Sequence, residues 1–394
     1  AFELLRAPLL RIDLEPGEVW RIASLRILPP KEVPKAHDAL VLAAFEPLAP
    51  LTACSSETIS RPPGYAAAPT RPMPKRATRM RFDLAVLVNP EDKIPPSKSK
   101  ALARLADVGR RLGIEVTLIQ PQDFGHAHFD ALFIRETTAV SHHTHRFARE
   151  AGERGIPVLD DAASIVRCTN KVFLSELMRQ GGVATPGTRL LTRRTIANIA
   201  REHVFPVVVK MPDGSFSRGV ERAANRAELR RISEAMLARS HVIIVQDFLR
   251  TEFDWRIGVL SGEPLFAARY FMCDQHWQIL KHGSDGTYVE GVTQAIATSE
   301  VPRKVLDAAL RAAQLVGNGL YGVDLKETSE GVFVMEVPDN PNIDVGLEDA
   351  VLGDELYSRI LLDFERRVEV SRRGRDEAKV IHLPRVSRWA RAKR

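Results

Sequence analysis

An α/β fold that passes into α+β lobes is predicted by three features of the chain. Strand and helix patterns alternate between residues 82 and 165. From Thr169 the pattern changes to a helix followed by short strands, a second helix and a hairpin. Two apolar strands near the C-terminal end each carry an acid within their apolar run, Asp324 in GLYGVDLKET and Glu336 in FVMEVPDNP. Alternation of this kind favours a parallel sheet covered by helices, whereas hairpins belong to antiparallel sheets.

The elements follow in order. FDLAVLVN is a strand, and PPSKSKALARLADVGRRLG is a helix that opens at Ser97 and closes at Gly113. IEVTLIQ and FDALFIRE are strands, HTHRFAREAGERG is a helix, and IPVLDD is a further strand. TNKVFLSELMRQGG reads as a helix, TRLLT and FPVVVK as strands, Asn225 to Arg239 as a helix, and HVIIVQDFL as a buried strand. FDWRIGVLSGEPLFAARYFM is a hairpin turning at Ser261, Gly262 and Glu263. A helix over 303–316 leads to the two acid-bearing strands, and an amphipathic helix from Glu348 to about Arg366 closes the fold.

Bulk composition bounds the classes open to this chain. Its 394 residues exceed one ordinary core, and 44% hydrophobic with 27% charged residues describes a soluble globular protein. No apolar run approaches the ~20 residues of a membrane span, and no signal-peptide pattern opens the chain. Cys54, Cys168 and Cys273 are far apart and odd in number, which points to a reducing cytoplasm and away from a thiolate zinc site. The net charge of +6 lies in the tail. Residues 371–394 hold nine Lys or Arg against two acids, so the rest of the chain is one short of neutral. That tail, with Trp389, suits either a solvated end or contact with RNA or an anionic surface. Residues 60–80 contain five prolines without periodicity and read as a linker after a small N-terminal region. The expected domains are 1–80, 81–165, 166–245, 246–370 and the basic tail 371–394. ALVLAAF makes self-association an expectation.

Chemistry concentrates after residue 200. Lys210 stands at the exit of FPVVVK, and the Gly/Ser loop that follows, from Gly214 through Ser215 and Ser217 to Gly219, suits backbone contacts to phosphate oxygens. The order of residues excludes a GxxxxGK[ST] loop. Gly214 and Gly219 also fit an ordinary hairpin turn. Gln246 and Asp247 end a buried strand where backbone groups meet the edge of a flat heterocycle, with Phe248 and Leu249 as apolar wall. Asp254 and Arg256 share one face of the hairpin by period two, and Arg269 on the returning strand is expected to face the same way, toward anionic groups. A solvated face for Asp254 and Arg256 is the alternative. Asp324 and Glu336, joined by the turn ETSEG, form an all-oxygen pair suited to Mg²⁺ bridging phosphates, with Mn²⁺ as the alternative ion. In SHHTHRFARE the spacing of His142, His143 and His145 brings no Cys, Asp or Glu to complete a metal set. Substrate or interdomain contacts by Arg135, His142 and His143 are therefore favoured over zinc, with helix-start packing as a third option.

Taken in order, NKVFLSELMRQGGVATP, FPVVVK with its loop, VQDFL, FDWRIGVL, AARYF, YGVDLKE and VMEVPDNP resemble the ATP-grasp superfamily, and within it the RimK-like amino-acid ligases. The resemblance covers residues 82 to about 365 and extends, through FDALFIRETTAVSHHTHRFARE and HWQI, to the subgroup with an extra N-terminal domain. It implies an ATP-grasp fold preceded by a parallel-sheet pre-ATP-grasp domain. It also implies that Lys171 and Lys210 touch ATP phosphates under a lid at residues 214–219. Gln246, Asp247, Phe248 and Leu249 would line the adenine pocket, with Asp254 near the ribose. Arg256 and Arg269 would steady the transferred phosphoryl group, and Asp324 and Glu336 would hold magnesium. The implied chemistry joins a carboxylate to an amine, from an amino acid, peptide or protein tail, through an acyl-phosphate. Two departures stand out. Pro338 occupies the asparagine place of E-x-N, leaving Asn340 to supply the amide by a shifted turn, and DQHWQILKHG leaves Lys281 or Gln278 to replace an expected arginine. A nucleotide-binding module without turnover, or an RNA-associated protein recruited by the tail, are the rival expectations.

Overall fold

The computed structural model describes residues 20–27, 41–47, 81–196, 204–213, 219–274, 276–282 and 288–381, with backbone alone for 20–27, 41–47, 281–282, 288 and 375–381. The chain forms two compact units, Ala1–Pro72 and Met73–Arg394. In the first, strands β1 (Trp20–Ile27) and β2 (Val41–Pro47) pair antiparallel. The linker and the side chains of ALVLAAF fall outside the described residues.

The second unit opens with β3 (Phe82–Leu87), α1 (Ser99–Leu112), β4 (Ile114–Ile119), β5 (Ala131–Ile134), α2 (His143–Glu153) and β6 (Val158–Leu159). The four strands make a parallel sheet in the order β4-β3-β5-β6. Helix α1 buries Ala101, Leu105, Val108 and Leu112, a stripe at helical spacing, and stops where Gly113 adopts φ 75°.

Two capped helices follow. Asp161 accepts from the Ser164 amide to start α3 (Ala162–Thr169), and Asn170 accepts from the Phe173 amide to start α4 (Lys171–Gln180). Next comes a small antiparallel sheet of β7 (Thr188–Leu191), β8 (Val207–Lys210), β9 (Val220–Ala223) and β10 (Ile243–Asp247) in the order β7-β10-β8-β9. Helix α5 (Arg226–Leu237) covers it with Leu229, Ile232 and Met236.

The larger antiparallel sheet contains β11 (Phe253–Leu260), β12 (Glu263–Phe271), β15 (Thr293–Ile296), β16 (Leu320–Thr328) and β17 (Gly331–Glu336), ordered β15-β12-β11-β16-β17. A separate hairpin pairs β13 (Leu280–His282) with β14 (Tyr288–Glu290). The turn between β11 and β12 is two residues long, with φ 51° at Ser261 and 81° at Gly262, the handedness that matches strand twist. Helix α6 (Arg303–Val316) packs on one face of this sheet through Val305, Ala309, Ala312 and Val316.

The closing helix differs from the expected one. Residues before Asp354 form turns, and α7 runs Asp354–Ile381, so it starts later and absorbs the first part of the basic tail. Leu356, Ile360, Leu361, Phe364 and Val368 keep it packed against the α1 side of the parallel sheet. No described helix is long and apolar enough to cross a membrane.

Candidate nucleotide and metal site

Side chains alternate across a strand, so the register of the large sheet decides what faces what. Arg256 lies opposite Asp324 on β16, and Asp324 lies opposite Glu336 on β17. These three therefore form one row across adjacent strands. Arg256 donates to both carboxylate oxygens of Asp324, through Nε and through Nη2 at 2.9 Å. Burial alone would lower the pKa of Arg256, but Asp324 and Tyr270 outweigh it and hold the guanidinium above its usual value. Gly322 makes room for this side chain, since a Cβ there would lie 3.0 Å from Arg256 Cδ.

Glu336 ends the row against the other lobe. Its Oε1 lies 3.3 Å from Lys171 Nζ, at the first residue of α4, and 3.7 Å from Lys210 Nζ, at the end of β8. Burial would raise Glu336, but Lys171, Lys210 and Arg256 together hold it below the ordinary carboxylate range. Lys210 is lowered by burial, with Lys171 and Lys326 adding to the effect against Glu336.

A second row runs beside the first. Lys326 is ion-paired to Asp254, and its Nζ donates to Thr251 Oγ1 at 2.8 Å. Sequence reasoning passed over Lys326 and Tyr270. Period two from Asp324 points to the first. Tyr270 lies opposite Asp254, has Arg256 5.1 Å from its ring centre, and donates to Glu348 at 2.5 Å.

Lys171, Lys210, Gln246 and Glu336 line one cavity whose remaining wall includes Leu174, Met178, Ile244 and Val334. Gln246 Nε2 donates to Thr188 at 3.0 Å, while its buried Oε1 has no hydrogen-bond partner. An apolar lining with one orphaned acceptor has the chemistry that recognises the donor edge of a flat heterocycle. The two lysines and the Glu336 carboxylate at the same cavity, with Asp324 beside Glu336 in the row, suit phosphates and a hard divalent ion.

The structure divides the expected adenine set. Phe248 and Leu249 line a neighbouring cleft with Arg222, Thr251, Trp277 and Lys326, while the exposed Asp247 sits against Gly187. Three further expectations are corrected. Arg269 lies opposite Trp255, so it occupies the other face of the sheet from Arg256, 4.8 Å from the Trp255 ring centre and 5.0 Å from that of Phe253. Asn340 is engaged elsewhere. Its Oδ1 accepts from Arg135 at 2.5 Å and its Nδ2 donates to the Glu136 carbonyl at 2.6 Å, so its amide does not replace the one missing at Pro338. Arg135 is 1% exposed and donates to Ser97, Asn340 and the carbonyls of Pro96 and Pro341, which leaves it no face for substrate.

His142 and His143 are half-buried at the start of α2, and Glu136 joins them, contrary to the expectation that no acid completes the group. Gly214, Ser215, Ser217 and the Lys281 side chain lie outside the described residues. Gly219 has φ 67°, and its carbonyl accepts from the Met211 amide at 2.9 Å.

Residues 168–353 match the family model described as the RimK-like ATP-grasp domain. A probable alpha-L-glutamate ligase of Aliivibrio fischeri is 23% identical over 257 residues, which is 64% of this chain and 81% of that protein. Among solved structures, D-alanine–D-alanine ligase from Bacillus anthracis complexed with ATP superposes with a TM-score of 0.54 at 16% identity, covering 77% of this chain and all of that one (100%). A RimK domain ATP-grasp protein from Sphaerobacter thermophilus gives 0.51 at 18% identity, over 73% of this chain and 97% of that one. Both likenesses carry the fold.

Proposed function

With residues 168–353 forming a RimK-like ATP-grasp domain, we propose that this protein is an ATP- and Mg²⁺-dependent ligase that joins a carboxylate to an amine. The observation that carries this reading is the meeting of Lys171 and Lys210 with Glu336 at one cavity, in the same row as Asp324 and Arg256. When bound, ATP supplies the phosphoryl group that activates the acid as an acyl-phosphate, and Mg²⁺ neutralises phosphate charge. The chain supplies alignment and charge, which is what such a transfer needs. Lys171 and Lys210 hold the phosphates, and Asp324 with Glu336 hold the ion. Arg256 faces the transferred group, and Gln246 Oε1 reads the edge of the base.

The name of the relative in Aliivibrio fischeri makes glutamate the first amine to try. The test supplies ATP, Mg²⁺ and pools of amino acids and short peptides, with hydroxylamine to trap an acyl-phosphate. ADP together with a hydroxamate is the expected result. Tight ATP binding with no ADP in any mixture would overturn it.

A second reading, a nucleotide-binding module with weak or no turnover, has a specific observation in its favour. Pro338 brings no amide, and the nearby Asn340 amide is tied to Arg135 and Glu136. The substitution Pro338→Asn separates the two. Under the ligase reading, with ion binding weakened by the missing amide, turnover rises in the variant and the Mg²⁺ requirement falls; under the module reading ADP release stays at background in both proteins.

A further inference from the structure

We propose that Glu136 and His142, in the loop between β5 and α2, and His143, at the first residue of α2, form a divalent-cation site of the nitrogen–oxygen type, suited to Zn²⁺, Co²⁺ or Ni²⁺. One donor atom from each of the three residues lies within 4.8 Å of the others. His143 Nε2 is 2.5 Å from Glu136 Oε1, and the two imidazole rings are centred 3.8 Å apart. A plain His–Glu hydrogen bond accounts for Oε1 alone. Glu136 is 1% exposed, and its second oxygen, Oε2, is buried with no hydrogen-bond partner. The Asn89 side chain neighbours the carboxylate without a well-formed bond to that oxygen. A buried carboxylate oxygen left unmatched is costly, and a cation at this point removes the cost.

The surroundings fix the donors as the outer shell of a metal site does. His142 Nδ1 is 3.3 Å from the hydroxyl of buried Thr144. Asp92 Oδ2 accepts from the amide and the hydroxyl of Thr137, at 2.8 and 2.7 Å, which pins the residue after Glu136. Asn340 Nδ2 donates to the Glu136 carbonyl and anchors the backbone from the other side. Two imidazoles and one carboxylate select borderline ions over Mg²⁺, in contrast to the all-oxygen pair Asp324 and Glu336. Bonds of about 2.0–2.1 Å in a tetrahedron place neighbouring donors about 3.3 Å apart. The His143–Glu136 contact therefore opens by less than about 1 Å on loading, a movement open to a histidine side chain that is 21% exposed.

The experiment uses the full chain without a histidine tag, stripped of metal, in the Glu336→Gln background and without ATP, so neither nucleotide binding nor ligase turnover enters the result. Co²⁺ is titrated and followed by its visible absorption. One equivalent is expected, with bands of a nitrogen-ligated ion that vanish when Zn²⁺ displaces it. Zn²⁺ should raise the unfolding midpoint in proportion to its occupancy. His142→Ala and His143→Ala should each weaken Co²⁺ binding by about 10-fold or more. Absence of stoichiometric Co²⁺ binding overturns the proposal, as does binding unchanged in His142→Ala. That variant decides the matter even if His143→Ala fails to fold, because the His142 ring makes only a 3.3 Å contact with the Thr144 hydroxyl and a ring contact with His143 beside its place near Glu136.

Discussion

Glu336 receives charge from both lobes, and its stay in the ionised form depends on them: burial pushes it toward the neutral acid, and Lys171, Lys210 and Arg256 pull it back. A group held ionised in this way is ready to bind a cation at neutral pH. Glu336→Gln should therefore reduce ATP turnover by about 100-fold or more, the scale of losing one preorganised charge. Far-ultraviolet circular dichroism should be unchanged, and retention of full turnover would remove Glu336 from the metal set. Nearby acids behave in the opposite sense. Burial, with Asp160 adding to it, raises Asp339 to about 8, and one of its oxygens has no hydrogen-bond partner; burial likewise raises Asp160 to about 7. A raised acid pKa means that the folded state holds the proton longer than the unfolded chain does. The associated stability is complete below about pH 4 and is lost as pH rises to about 8. Asp339→Asn mimics the protonated acid, so the variant should gain on the parent protein by up to about 1.4 kcal/mol per pH unit between pH 5 and 8. Urea unfolding at three pH values measures this, and parallel profiles would show that Asp339 stays ionised in the fold.

At the level of strands, two rows of opposite charge explain why the face of β11 and β16 is polar inside an apolar sheet. Asp254 with Lys326 forms one row, and Arg256, Asp324 and Glu336 form the other. Much of this was legible in the sequence, because period two places Asp254 with Arg256 and Asp324 with Lys326 whatever the partner strand. Arg269 was not legible. Counting back from the two-residue turn, an unbroken hairpin would set Arg269 opposite Asp254, on the charged face. The register instead shifts by one between Gly258 and Val259, so Arg269 meets Trp255 and turns to the α6 side. One extra residue on the returning strand moves a side chain through the sheet, and nothing in local composition announces it. The two arginines should therefore respond differently. Arg256→Ala should lower turnover by about 100-fold or more, as loss of a charge on the reacting face does. Arg269→Ala should leave turnover within a few-fold and reduce stability by about 1–2 kcal/mol through two lost cation–π contacts. Steady-state rates and urea midpoints on both variants check this, and a collapse of turnover in Arg269→Ala would return that residue to the site.

Across the second unit, the parallel sheet and the strands that carry Asp324 and Glu336 are joined by a tie that no sequence pattern displays, because its members lie about two hundred positions apart. The order of motifs points to the domains, and helix and strand periods place their elements. Long-range pairing is instead set by which buried donors find acceptors. Arg135 leaves the end of β5 and holds Ser97 and the Pro96 carbonyl of its own domain together with Asn340 and the Pro341 carbonyl beyond β17. Its guanidinium also lies 5.0 Å from the centre of the Phe133 ring. A residue expected at the substrate is in this way a clamp between layers, and it fixes the start of the turn that follows Glu336. Removing it leaves several buried acceptors unmatched, so Arg135→Met should cost about 3–5 kcal/mol in urea unfolding. Arg135→Lys provides the sharper comparison. A lysine keeps the charge but presents three donors from a single atom, whereas the fork reaches acceptors in different directions at once. Lysine should therefore recover less than half of the loss, and ATP affinity should fall in both variants as the Asn340 turn relaxes. Stability of Arg135→Lys equal to that of the parent protein would show that charge alone, and not the fork, joins the two layers.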